Sequence, residues 1–508
     1  MPPNLKSALS WAPALVGAVL VATDVEARIW TVGPSGREYT QLSTLFNGND
    51  LAPGDVVEVD GNATYASAVM GEDDGGAPGN PVIVRWRRVP GASRPVLQGG
   101  THAFKFQRSN HVVFEGFEIR GGASTCLFSE AHEITVRDAV IHACPGHGIL
   151  GADLNSGSFT LEFSEIYDAG AGSTRHPIYM QSDEIAYPGS VFRMRFNYVH
   201  DGNGGNLLKN RHERAEIHSN WFEGALYQEI ELIGPDCETQ AAGWTRATKR
   251  EDAELLNNVI VHTSTGWPHA IRIGGDLNGA SDGRVRMVGN TILFDRPGGA
   301  TAVYVQLGAG SLEMHNNAIF QIDGAAPAIV RENTAADAPL CAPFTTSPWS
   351  GGRNVAGSRN WVQSTASFVP AEWADTRSGG DPGLRDIPLR HLRPSTSSPL
   401  RNAGLNHPPS PMAFPMPWAL PRIGFDPPPR AKLAVGDQRA RIPQGHFTVD
   451  IGALEEVDID SLIGPFELPG SVPRVRPRVH TGAARPASAA PVPPFQRRRC
   501  VITQCGGQ

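Results

Sequence analysis

The feature that most constrains this chain is an internal repeat of apolar-alternating strands, each carrying a small or amide residue at a turn. The copies span residues 111–119, 133–141, 159–167, 192–200, 215–223, 254–262, 286–294 and 313–321. Taking Asp138, Ser164, Asn197, Asn220, Asn258, Asn290 and Asn317 as the turn residues, the intervals are 26, 33, 23, 38, 32 and 27. A floor in the low twenties with variable excess is what one solenoid rung plus loops of different length produces. Asn suits the corner because it tolerates left-handed backbone and can bond its own turn. Asn side chains on stacked rungs can also form a ladder.

Each repeat is accompanied by a second short strand: 104–106, 126–128, 148–150, 178–180, 207–209, 229–232, 271–273 and 303–305. Side chains alternate across a strand. With Phe106, Leu127, Ile149, Ile178, Leu208, Ile230, Ile271 and Val303 inward, their neighbours face out. Ile29 to Val96 reads as an N-terminal cap with its own strands. Regularity fades beyond about Asp323, and Asp450-Ile-Gly-Ala-Leu-Glu closes the ordered region.

The predicted layout is an export signal over 1–27, a β-helix domain over 28–456 with repeats at about 100–323, and a disordered Pro/Arg-rich tail over 457–508. The signal rests on Lys6, the apolar stretch Ala8 to Ala22 and the cleavage-like Val25-Glu26-Ala27, and it implies a secreted or periplasmic protein. With 56 Gly and 42 Pro in 508 residues, the composition excludes a helical bundle and favours turn-rich β structure. Net charge is −7, but Ser461 to Gln508 holds seven Arg and one Glu, leaving 37 bases against 50 acids in the body. Such a body excludes a nucleic-acid-binding face. Pro13 breaks an apolar run too short to span a bilayer, so no membrane span is expected. Six Cys at 126, 144, 237, 341, 500 and 505 are free to pair in an oxidising compartment, and their spacing lacks the C-x-x-C pairs of a zinc site.

The repeats, together with Trp30-Thr-Val-Gly-Pro-Ser-Gly, Pro53-Gly-Asp-Val-Val and the closing Asp450-Ile-Gly-Ala-Leu-Glu, resemble the pectate-lyase-like superfamily of secreted β-helix proteins. The segment from Val199 through Lys209 and Arg211 to His212 is similar to one common in bacterial members. The resemblance implies an all-β, single-stranded right-handed parallel β-helix with an N-terminal cap and an irregular C-terminal region. It does not choose among lyases, hydrolases, esterases and adhesin stalks, so function must come from a site.

Stacking the second strands in register gives an outward column of Tyr179 with Gln181, Lys209 with Arg211, Glu229 with Glu231, Arg272 and Tyr304. At about 4.8 Å per rung, this is a groove suited to a charged sugar chain. The reading it favours is β-elimination on a uronic-acid polysaccharide. That reaction needs a cation or Ca²⁺ against the substrate carboxylate and a base for the adjacent proton. Lys209 is the expected base, with cationic neighbours lowering its proton affinity. Arg211 or Arg272 is the carboxylate clamp, and Tyr179 or His176 the acid. His200, Gln181 and Tyr304 are the expected substrate contacts. Lys209 and Arg272 resemble the Lys and Arg pair of chondroitinase-B-type and alginate-lyase-type β-helix enzymes, although here the glutamates follow the Lys instead of preceding it. Glu229 and Glu231 could hold Ca²⁺ or simply pair with Lys209 and Arg272.

Two rival classes stay open. Glu229 and Glu231, two residues apart on one strand, could serve an inverting glycoside hydrolase as acid and base. Alternatively, the spine is a non-catalytic adhesin or carbohydrate-binding module. The Gly-rich stretch Asp201 to Asn206 reads as a loop before a strand, not a phosphate cradle before a helix. Asp276 to Gly283 reads as a turn because it lacks the closing Glu of an EF-hand loop. Substrate preference is assigned to the loops after Ala169, Pro235 and Asp276. The expected partner is an acidic polysaccharide, bound by a monomer.

Overall fold

A computed structural model describes residues 27–234, 251–275, 281–334, 347–411, 413–441 and 448–456. The export signal up to residue 26, the tail from 457, and Cys237, Cys341, Cys500 and Cys505 lie outside the described residues, as do the loops after Pro235 and Asp276. Among the described residues no helix is long and apolar enough to cross a membrane.

The described strands form three long sheets of 13, 10 and 12 members, every neighbouring pair parallel. Strands three apart in sequence are neighbours in space, which is the connectivity of a three-walled coil: the chain is a parallel β-helix. Each repeat proves to be two strands bent over a corner. Val191–Arg195 lies in the 13-stranded wall and Tyr198–His200 in the 12-stranded wall, and the second short strands make the 10-stranded wall.

The corner explains the Asn residues, with one correction. The left-handed residue is the one before the Asn: Phe163, Phe196, Ser219, Asn257, Gly289, Asn316 and Arg359 have φ between 51° and 66°. The Asn instead turns its side chain inward along the axis. Asn197, Asn220, Asn258, Asn290, Asn317 and Asn360 are all fully buried. Each Nδ2 donates to the Oδ1 of the next, at 2.9, 3.1, 3.1, 2.9 and 3.0 Å. The same Oδ1 accepts the preceding Asn's backbone N–H. Ser164 continues the ladder by accepting from the Ala139 N–H at 3.1 Å, so Ala139, not Asp138, is the ladder position of that rung. Asp138 sits in the left-handed slot and accepts from Arg94 and Lys432 instead.

Inside the coil, Leu127, Ile149, Ile178, Leu208, Ile230, Ile271 and Val303 stack with no exposure, as expected. Phe104, rather than Phe106, is in register with Leu127, although both are buried. Burying each such side chain contributes roughly 1.5–3 kcal/mol. The strands expected in the N-terminal segment Ile29 to Val96 form, but they continue the coil instead of standing apart from it. Ile29–Val32, Val56–Asp60 and Val82–Arg87 pair in sequence into the 13-stranded wall as the first rungs. The end is closed by the helix Leu42–Gly48, which buries Leu42, Leu45 and Phe46 and sets Phe46 edge-on to Phe104. A disulfide joins Cys126 to Cys144.

After Arg377–Gly379, the last strand of the 12-stranded wall, the chain leaves the coil and returns along it. Ser410 donates to Glu313, Trp418 Nε1 to Glu254, Arg430 to Glu223 and Lys432 to Asp138. Among the described residues this irregular strap lies on the outer faces of two walls, bonding Glu254 and Glu313 of the 13-stranded wall and packing Leu392, Leu400 and Ile451 on Trp221, Val259 and Leu293 of the 12-stranded wall.

Asn258→Ala removes the acceptor of the Asn220 N–H and one partner each of the Asn220 Nδ2 and the Ile217 carbonyl, the Nδ2 keeping the Met194 and His218 carbonyls. With an unmet buried group costing about 1–3 kcal/mol, the variant should lose at least about 1 kcal/mol in a urea melt. An unchanged midpoint would contradict a structural role for the ladder.

Candidate active site

The 10-stranded wall sets five residues of the expected column, Tyr179, Lys209, Glu231, Arg272 and Tyr304, on one register line. Tyr179 pairs with Lys209, Lys209 with Glu231, Glu231 with Arg272, Arg272 with Tyr304, and Tyr304 with Arg331. Because Leu208, Ile230 and Ile271 point into the core, strand alternation drives Lys209, Glu231 and Arg272 outward.

The charges are interleaved. Glu231 is buried, with 1% of its side chain exposed, and stands between Lys209 and Arg272. The Lys209 Nζ lies 3.8 Å from the Glu231 Oε2, and Arg272 Nη2 is ion-paired with the Oε1. Asn206 Nδ2 also donates to the Oε2. Lys209 and Arg272 keep 14% and 20% of their side chains exposed. Of the two arrangements expected around Lys209, cationic neighbours alone or a pair with a glutamate, the structure has the pair, with Glu231 against it.

Tyr179 is held from two sides. The Lys209 Nζ lies 5.4 Å from its ring centroid. Arg211 Nε donates to its Oη at 3.0 Å. Arg211 is 1% exposed and also donates to the Gly234 carbonyl, so it positions the phenol and does not face the groove. Gln181, in register with Arg211, is likewise buried and lines no surface.

At the corner preceding these strands runs a second polar ladder. The His176 N–H donates to the His147 Nδ1 at 3.1 Å, the Asn206 N–H to the His176 Nδ1 at 2.9 Å, and the Gln228 N–H to the Asn206 Oδ1 at 3.2 Å. Gly205 makes the approach possible: at φ 50°, a Cβ there would lie 2.1 Å from the His176 Nδ1. That is the physical role of the Gly-rich stretch. Burial, then Lys209, His147, Arg211 and Arg272, hold His176 well below its ordinary value. Burial, then Arg175 and Lys209, push His147 down to about 4. His176, with its ring centroid 5.5 Å from that of Tyr179, is therefore a neutral ring whose Nδ1 is an acceptor. It can offer an Nε2–H hydrogen bond but is not a charged acid.

Two expected residues, Glu229 and His200, stand apart from the column. Glu229 is fully buried against His262, whose Nδ1 is 2.6 Å from its Oε2, and its Oε1 accepts the Ala225 N–H. Burial pushes its carboxyl upward. The pair Glu229 and Glu231 therefore shares no open face, which corrects both its reading as a hydrolase acid and base and its reading as a Ca²⁺ site. The Glu231 oxygens are engaged by Arg272, Asn206 and Lys209, and among the described residues no group of three or more His, Cys, Asp or Glu is placed to hold a metal. His200 belongs to the 12-stranded wall, stacked on Tyr167 and Tyr198 and bonded to Glu165 and Asp201. Tyr304 is in the column, its ring stacked 4.3 Å from that of His269.

Sequence reasoning passed over Asn206 and Arg331, and read His147 only as a hydrogen-bonder near a strand end, which it is. Asn206 and His147 occupy the same rung position as His176, two before the inward residue, but the glycines around Asn206 disguised that register. Arg331 lies on Ala328–Glu332, one rung beyond the point where the repeat seemed to fade.

No family model matches the chain, and no curated protein matches it. Among solved structures, the chain is similar to pectate lyase Pel9A at 14% identity and TM-score 0.44, covering 85% of this chain and 96% of that one. An alginate lyase from Paenibacillus sp. str. FPU-7 gives 14% identity and TM-score 0.37 over 64% of this chain and 99% of that one. The alginate lyase AlyGC mutant R241A gives 11% and 0.39 over 70% and 55%. At these values the likeness carries no site argument. The β-helix assignment rests on the chain's own three sheets.

The corner ladder makes a direct prediction. Long-range ¹H–¹⁵N spectra at pH 7 should show the Nδ1 of His147 and His176 without a proton, and His147 should titrate near 4 instead of 6.5. Because the fold favours the neutral ring, its contribution to stability is complete above pH 6.5 and is lost as pH falls toward 4. A midpoint near 6.5 for His147 would contradict the ladder.

Proposed function

We propose that this protein is a polysaccharide lyase that cleaves a uronic-acid polysaccharide by β-elimination on the 10-stranded wall. The observation that carries the reading is the register of Tyr179, Lys209, Glu231 and Arg272 on the outer face, with the ammonium and guanidinium of Lys209 and Arg272 accessible and the carboxylate between them buried.

In this reading, a uronate lies along the column with its carboxylate against Arg272. Partial neutralisation of that carboxylate acidifies the adjacent C–H. Lys209 first gives up its own proton, a loss that the adjacent Glu231 opposes, and then takes the substrate proton as the carbon–carbon double bond forms and the glycosidic C–O bond breaks. The Tyr179 hydroxyl, polarised by the Arg211 N–H on its oxygen, returns a proton to the leaving oxygen. His176 supplies a neutral N–H donor at the edge of the site, and Glu231 spaces the two cations. The Glu229 and Glu231 pair does not fit Ca²⁺, so no step here passes through it.

We further propose that the protein acts outside the cytoplasm. The Cys126–Cys144 bridge supports an oxidising compartment, in keeping with the export-like first residues.

Incubation with a panel of polyuronates, with and without Ca²⁺, should generate the ultraviolet absorbance of an unsaturated uronate. Lys209→Ala should lower the rate by at least about 10²-fold with unchanged circular dichroism. Reducing ends without that absorbance would mean hydrolysis, and neither product on the whole panel would leave a non-catalytic spine.

A further inference from the structure

The column continues past the residues assigned chemistry, and its sequence of side chains is periodic. Reading along the wall, Lys209, Arg272 and Arg331 occupy every second rung, while Glu231 and Tyr304 fill the rungs between. Arg331 is exposed, and its guanidinium carbon lies 4.7 Å from the centroid of the Phe368 ring, itself 59% exposed. An exposed cation laid on an exposed aromatic ring, in register with a proposed active-site column, offers a sugar both a carboxylate partner and a flat apolar face.

Parallel rungs are about 4.8 Å apart, so cations on alternate rungs repeat at about 10 Å. One pyranose of an extended, equatorially linked chain advances about as far as one rung. In such a ribbon successive sugars are flipped, so carboxylates face the same side on every second unit. The period of the polymer then equals the period of the cations. The intervening sugar, with its carboxylate turned away, lies over Tyr304, where a charge partner is not required. A chain with axial linkages is buckled and advances differently per residue, so its carboxylates fall out of step with Arg272 and Arg331.

We propose that Arg331 and Phe368 form a distal carboxylate subsite, two rungs beyond Arg272, that selects extended equatorially linked polyuronates of the β-1,4-glucuronan type over axially linked ones such as polygalacturonate. This deepens the lyase reading and rests on it for the placement of substrate along the column.

The test uses binding, so that it can be separated from turnover. The full chain carrying Lys209→Ala is run in native gels containing β-1,4-glucuronan, carboxyl-reduced glucuronan or polygalacturonate. Retardation is expected in glucuronan, weakened about tenfold in apparent affinity when Arg331→Gln is added, which is the scale of one lost charge-assisted contact. Phe368→Ala should weaken it in the same gel, and the carboxyl-reduced polymer should abolish the dependence on Arg331. Equal retardation by polygalacturonate, or glucuronan retardation unchanged by both substitutions, would overturn the subsite. If the wild-type chain releases unsaturated product from glucuronan while neither substitution alters retardation, the lyase reading stands and this inference alone fails. Retardation that depends on Arg331, without any elimination by wild type, would retain the subsite and remove the lyase.

Discussion

Everything in this molecule depends on rungs stacking in one register, and the buried Asn ladder is the interaction that imposes it. A parallel coil could slide by two residues without exposing its aliphatic core, because strand periodicity is two. The ladder removes that freedom. Each Asn donates both its side-chain amide and its backbone N–H to the side-chain oxygen of the next Asn, so a slipped rung leaves several buried donors and acceptors unmet. The left-handed residue before each Asn, Phe196 or Ser219 for example, makes the bend that turns the amide inward.

Register in turn makes the outer column possible. Six strands from separate parts of the sequence place one side chain each on a common line, and the alternation of charge keeps Lys209 and Arg272 two rungs apart. Burying Glu231 costs desolvation, offset by the two cations and by Asn206. The same corner geometry that fixes the strands also commits the His147 and His176 Nδ1 atoms to backbone donors, so rigid packing sets the protonation state of the groups beside Tyr179.

Much of this was readable beforehand, because solenoids repeat. The inward aliphatic residues and the outward order Tyr179, Lys209, Glu231, Arg272 and Tyr304 follow from strand alternation once the rungs are counted. What escaped was whatever depends on corners and coverings. Glu229 is two residues from Glu231, but it lies just before its strand, where His262, at the end of the strand Val259–His262 on the 12-stranded wall, encloses it. His200 follows a strand that bends over a corner onto another wall, which a count along the sequence does not reveal. Arg211 and Gln181 alternate outward yet are covered, and burial of this kind is decided by loops whose lengths vary from rung to rung.

The most direct measurement is a crystal structure of the Lys209→Ala protein with a polyuronate oligosaccharide. The account predicts sugar density running along the 10-stranded wall, with a carboxylate against Arg272 and a glycosidic oxygen within reach of the Tyr179 hydroxyl. Density on either of the other walls, or lying across the column instead of along it, would contradict it.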